Sequence, residues 1–197
     1  MIDQGAFLDR LPHPLSPRSR QFLSLWQQWR GSRRLPERGD IDWAGLGELR
    51  EHAMLVDARG HDMVHVTYAG ARLAQYCGFD PTGYNYLDFT MAENRSWRAH
   101  LTLAQLAQPC GYLLYYTLRF GDGRVLPLEC TGVPLNRDGR DEPTLILSCA
   151  VPLARMEPIG PADPDSYLIG EGMRFLDIGF GLPKMVPAAI QDGAPLQ

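Results

Sequence analysis

Two histidines four positions apart, His61 and His65, have a spacing that could do chemistry. On a helix they would share one face and could ligate zinc, with a carboxylate between them as base. Here His61-Asp62-Met63-Val64-His65 follows Arg59-Gly60 and runs into a β-rich stretch. Four residues of strand would hold the two rings about 13 Å apart, so no metal site is expected. Cys77, Cys110, Cys130 and Cys149 form no Cys-x-x-Cys pair, which argues for buried thiols over a zinc knuckle or a disulfide framework. His100 stands in a helical run. About 100° per residue puts Trp97, Ala99, Leu101, Leu103, Ala104, Leu106 and Ala107 on one arc with His100 near its middle, and Arg95, Arg98, Thr102 and Gln105 on the other side. A neutral imidazole in an apolar setting could bond a backbone carbonyl, touch a ligand or ligate haem iron. Glu129 and Arg119 could meet across a hairpin through Asp122 and, if they face inward, orient a polar ligand. There is no Ser-His-Asp order, phosphate-cradling glycine loop or helically spaced carboxylate pair. Gly121-Asp122-Gly123 reads as a hairpin turn.

The elements that must carry these residues can be read from periodicity. Ser16-Pro17 opens a helix whose apolar stripe is Phe22, Leu25, Trp26 and Trp29, and Gly31 closes it. That stripe must be buried on the chain's own sheet or on a second copy, and the second choice makes Phe22, Leu25, Trp26 and Trp29 a dimer interface. A short helix near Leu46 to Glu51 leads into a hairpin over 53–69, with AMLVDA and MVHVTYAG as its strands. Ala71 to Tyr76 fits a short helix, Asp80-Pro81-Thr82-Gly83 a turn, and Met91 to Gln108 a long helix stopped by Pro109. Strands are expected at Tyr112 to Phe120, Val125 to Leu135 and Thr144 to Leu153, with a further strand or turn at Met173 to Phe180. On the first of these three strands, alternation assigns Tyr112, Leu114, Tyr116, Leu118 and Phe120 to the inner face.

The chain has 197 residues and a formal net charge of −4, with 45% hydrophobic residues. Such a composition supports one globular domain with extensions rather than disorder or a disulfide scaffold. Charge is uneven: residues 18–38 hold six arginines against Glu37 alone, a basic face that could be solvated or meet an acidic partner. No nucleic-acid module accompanies it, so nucleic acid is not an expected partner. No run of about eighteen apolar residues and no secretory leader is visible. A cytoplasmic protein with no membrane contact is therefore expected.

The order ββ, short helices, long helix, βββ is similar to that of PAS domains. Trp29-Arg30-Gly31-Ser32-Arg33-Arg34-Leu35-Pro36-Glu37-Arg38 resembles a segment of one bacterial PAS family, as do Tyr68-Ala69-Gly70-Ala71-Arg72-Leu73, the Asp80 to Gly83 turn and the hairpin Val133 to Gly139. Thr67 departs from it, standing where a basic residue is frequent. The resemblance implies an α+β fold: a five-stranded antiparallel sheet covered on one face by short helices and one long helix, preceded by an amphipathic helix. The chain is expected to divide into a flexible N-terminus at 1–15, helix and linker at 16–52, the PAS core at 53–155, and an extension at 156–197 whose last ten residues form a mobile tail.

In function the resemblance implies a sensory or protein-interaction domain, dimeric and without catalytic residues. The ligand of such domains is generally unidentified. Since no effector segment is recognisable, a signal is expected to leave by contact with another protein. A ligand is expected between sheet and long helix, lined by Tyr68, Leu73, Tyr76, Trp97, His100 and Leu114. No cofactor is assigned. Haem-binding PAS proteins often take their axial histidine from the long helix, which gives His100 that possible role. Around Cys77, Tyr76, Gly78 and Asp80 occupy positions where flavin photosensors of this fold carry Asn, Arg and Gln, so the thiol reads as buried and structural. The readings from other classes are a small α+β cyclase or isomerase with His100 or Glu129 as general base, and an interaction module with a filled core.

Overall fold

A computed structural model describes residues 15–90, 92–155, 161–162 and 170–184. The expected flexible N-terminus, Leu15 aside, and the last ten residues lie outside them. Helix α1 spans Pro17–Arg30, α2 Ala71–Cys77 and α3 Ala92–Ala107; the strands are β1 Ala53–Ala58, β2 Val64–Ala69, β3 Gly111–Arg119, β4 Val125–Asn136, β5 Pro143–Pro152 and β6 Gly170–Leu176. They form one antiparallel sheet in the order β2-β1-β5-β4-β3-β6. Among the described residues the sheet has six strands rather than the expected five, because β6 pairs along β3, with Leu114 opposite Met173. The architecture is α+β.

Both faces of the sheet are covered. On the back, α1 starts at Ser16, whose hydroxyl accepts from Ser19 N at 3.2 Å, and stops at Gly31, where φ is +56°. Its buried row is Ser19, Phe22, Leu23, Trp26 and Arg30, packed on Leu113, Val133, Leu135, Leu145 and Leu147. This row is rotated from the expected stripe: Leu23 is buried, while Leu25 and Trp29 are only half-buried. Phe22 and Trp26 therefore belong to the chain's own core, which corrects their assignment to a dimer interface. The physical reason is that β3, β4 and β5 present an apolar back face that α1 can cover within one chain. Arg30 pins the residues just after β6, donating Nη1–H to Ile178 O at 3.0 Å and stacking 5.1 Å from the Phe180 ring centre.

The tips of two hairpins are joined by Asp57. Its buried carboxylate accepts from Arg137 Nη2 at 2.6 Å and from Arg59 Nε at 3.0 Å. Burial pushes this carboxyl up, but the hydrogen bonds from Arg59 and Arg137 and their charge outweigh it and hold it below the usual carboxylate range. A lowered folded-state value gives stability that is complete above the unfolded aspartate range and lost as pH falls through the folded-state value. Because both arginines are partly in water, Asp57→Asn is expected to cost about 1–2 kcal/mol at neutral pH. Urea unfolding across a pH series should show this gap from wild type closing on the acid side. A gap constant with pH would contradict the ion-pair account.

Candidate functional site

The front face of the sheet is not fully filled. Between it, α2, the 3₁₀ turn Tyr86–Phe89 and α3 lies a cavity of about 450 Å³. The sheet contributes Met54, Tyr112, Leu114, Tyr116, Cys130, Ser148 and Ala150; the covering elements contribute Leu73, Cys77, Tyr86, Phe89 and Arg98. Local sequence explains the wall. Alternation along β3 sends Tyr112, Leu114 and Tyr116 forward and Leu113 and Tyr115 back into the α1 core. Gly132 faces Tyr112 in the register, and a Cβ there would stand 2.1 Å from the ring. The ring therefore lies over the glycine. Tyr112 Oη in turn reaches Cys130 Sγ at 3.7 Å.

Arg98 is the one cation among the described residues that line the cavity. Its Nη1 donates to Tyr86 Oη at 2.6 Å, and its guanidinium carbon lies 5.9 Å from the Tyr86 ring centre. Tyr86 raises the guanidinium's pKa above its ordinary value, and burial works against that. No carboxylate among the described residues forms a salt bridge with Arg98. Asp88 lines the same cavity, but it accepts from Arg95 at 2.5 Å. Burial pushes the Tyr112 phenol well above its ordinary value and the Cys130 thiol up to about 12. At neutral pH both are protonated, so Tyr112 and Cys130 present neutral groups to the cavity beside the Arg98 cation and the Asp88 carboxylate that pairs with Arg95.

Leu73 and Leu114 of the expected set line this cavity; the other four do not. Tyr68 is on the back, its ring 4.5 Å from Trp43 and its hydroxyl donating to Arg50 O at 3.1 Å. Tyr76 is buried with Leu118, Phe120, Leu126 and Leu128, sealing one end of the sheet. Trp97 and His100 stack on each other, with ring centres 6.2 Å apart. On α3, Ala99, Leu101, Gln105 and Leu106 are buried and Arg98 lines the cavity. His100 lies roughly 160° from Arg98 around the helix. The expectation that His100 sits in the pocket is thus corrected, and with it the haem and general-base roles.

Two further expectations are corrected. Glu129 points to the back, accepting from Ser16 N at 3.0 Å, Ser16 Oγ at 2.7 Å and Tyr115 Oη at 3.0 Å. Arg119 is exposed, and Asp122 pairs with Arg124 at 2.7 Å. Cys77 is half-buried on the cavity wall rather than in the core. None of the four cysteines is in a disulfide. His61 is in the turn before β2, and His65 is on the strand. Among the described residues no group of three His, Cys, Asp or Glu could hold a metal ion.

An antiparallel sheet with a capping helix behind it and a helix-roofed cavity in front defines a class of α+β domain built around an internal site. The model of the PAS domain family matches residues 15–149, more than half of the chain. The chain belongs to that family, which supports a sensory domain. Among solved structures, a LOV protein of Rhodobacter sphaeroides matches with 15% identity and a TM-score of 0.39, covering 58% of this chain and 70% of that one. A variant of RsLOV matches with 19% identity and a TM-score of 0.35, covering 58% and 71%. No curated protein matches. Among the described residues no helix is long and apolar enough to cross a membrane.

Proposed function

We propose that this chain is a non-catalytic sensory domain that binds a small organic molecule in the front cavity and reports its occupancy to a partner protein. The observation that carries the reading is the cavity of about 450 Å³, within the size range of small-molecule sites and lined by apolar groups with a few polar ones. The strands beneath it touch both faces. Leu114 and Tyr116 line the cavity on either side of Tyr115, and Cys130 lines it next to Glu129. Glu129 accepts from Ser16 at the start of α1 and is itself held by the Tyr115 hydroxyl. A ligand that moves the front of β3 and β4 therefore moves the anchors of the helix behind them. The outward side of α1, where Leu25 and Trp29 are half-buried, is the surface we assign to a homodimer or a signalling partner.

Native mass spectrometry of the full chain, purified without denaturation, tests the reading. The wild type should carry a small molecule that leaves on denaturation, and Leu114→Trp, which pushes an indole into the cavity, should carry much less. An absorption spectrum of the same sample would reveal a chromophore. Equal occupancy in both proteins would place the ligand elsewhere and overturn the assignment.

A further inference from the structure

We infer that the cavity selects an organic monoanion, a carboxylate on an apolar acyl or aryl body, with the Arg98 guanidinium as its counter-ion. The inference rests on the ligand-binding reading above and adds the chemical class. Its first ground is unmatched charge. Arg98 is the only cation among the described residues lining the cavity, and its guanidinium donates to the Tyr86 hydroxyl rather than to a carboxylate. Arg98 is half-buried, and a guanidinium that gives up part of its hydration without gaining an anion does so at a cost. The site relieves that cost when the molecule entering it brings a negative group. One guanidinium offsets one charge, and its planar fork of donors suits a carboxylate. A phosphate dianion would leave charge unmatched, since the remaining polar groups here are phenols, hydroxyls and thiols beside an Asp88 already paired with Arg95.

The second ground is the rest of the wall. Met54, Leu73, Phe79, Phe89 and Leu114 make up the apolar part of the lining, beside Thr90, Ser148, Cys77 and Cys130. These side chains favour an apolar body for the ligand, and the hydroxyls and thiols among them supply no second cation. The phenols near Arg98 belong to Tyr86, Tyr112 and Tyr116, and Tyr112 stays protonated because burial raises its pKa. A phenol in that state does not compete with the ligand for the cation.

Isothermal titration of the full chain with 4-phenylbutyrate, octanoate and their two primary amides separates charge from shape. The acids should bind at least about tenfold more tightly than the amides. Arg98→Gln should remove that preference by weakening the acids and leaving the amides nearly unchanged, whereas Arg98→Lys should keep part of it. Leu114→Trp should weaken all four compounds. If Arg98→Gln fails to fold, the acid-to-amide ratio of the wild type still decides. Equal binding of acids and amides would sink the anion class while leaving the cavity reading intact, as would a neutral co-purified molecule displaced by Leu114→Trp. No binding by any probe, together with no effect of Leu114→Trp on co-purified material, would overturn both.

Discussion

Trp26→Ala is expected to remove about 3–5 kcal/mol of folding stability, the range for truncating a large aromatic in a close-packed core. Natural domains have about 5–15 kcal/mol in total, so this variant should be near the limit of folding. Trp26 has 0% exposure, lies between α1 and the back of the sheet, and donates Nε1–H to Pro134 O at 3.0 Å. Its loss leaves a cavity and a carbonyl without that donor. Trp26→Phe should cost roughly 1–2 kcal/mol, since it keeps most of the ring volume and forfeits the hydrogen bond. Trp29→Ala, three positions along the same helix, should cost much less than Trp26→Ala because its side chain is only half-buried. Guanidinium unfolding followed by circular dichroism would measure all three without relying on the fluorescence being altered. Equal losses at positions 26 and 29 would mean that α1 buries the stripe read from its sequence rather than the row seen against β4 and β5.

That contrast also shows what the sequence could convey. Ser16-Pro17, Gly31 and Pro109 punctuate the chain by local chemistry, so the helices they bound were legible without any tertiary information. Alternation along Tyr112 to Phe120 was legible too, because a strand has only two faces. A helix has no such binary choice. On α1, residues 22 and 26 are common to both possible rows, and only contact with the sheet selects Leu23 over Leu25.

On α3 the same ambiguity changed the site. The wheel gave the apolar arc to the protein interior and placed His100 inside it, but a helix that roofs a cavity need not turn its most apolar side inward. Arg98 lines the space, with Gln105 buried below it and bonding Cys110 O at 2.9 Å to close the turn at Pro109. A polar residue in an inward position is a tertiary fact. The pairing of β6 with β3 is likewise non-local, and its glycine-rich sequence carries little strand signal. Glu129 could be placed on a strand but not on a face with a partner, because that partner, Ser16, is 113 residues away.

Glu129→Ala is expected to cost about 2–4 kcal/mol and to loosen the first turn of α1 selectively. The carboxylate is 2% exposed and makes no ion pair with a Lys or Arg among the described residues. What stabilises it is a set of oriented donors: Ser16 N and Oγ on one side and Tyr115 Oη on the other. Burial, then the hydrogen bond to Glu129, pushes Tyr115 up to about 12, so it remains a donor at neutral pH. The Ser16 hydroxyl donates a hydrogen bond to Glu129 while accepting one from Ser19 N. The carboxylate thereby fixes the direction of the helix cap, and it sits where a helix N-terminus favours negative charge. Hydrogen bonds to a charged group contribute more than neutral ones, and deleting the acceptor leaves several partly buried donors unsatisfied. Glu129→Gln should recover only part of the loss, since an amide offers one acceptor oxygen where the carboxylate uses two. Hydrogen exchange distinguishes this local role from general core damage. The amides of Ser19 and Arg20, which bond Ser16, should lose protection in Glu129→Ala while those at 26–30, held by Trp26 and Arg30, keep theirs. Uniform loss along α1 would make Glu129 an ordinary core contact and remove it from the proposed route between the cavity and the helix.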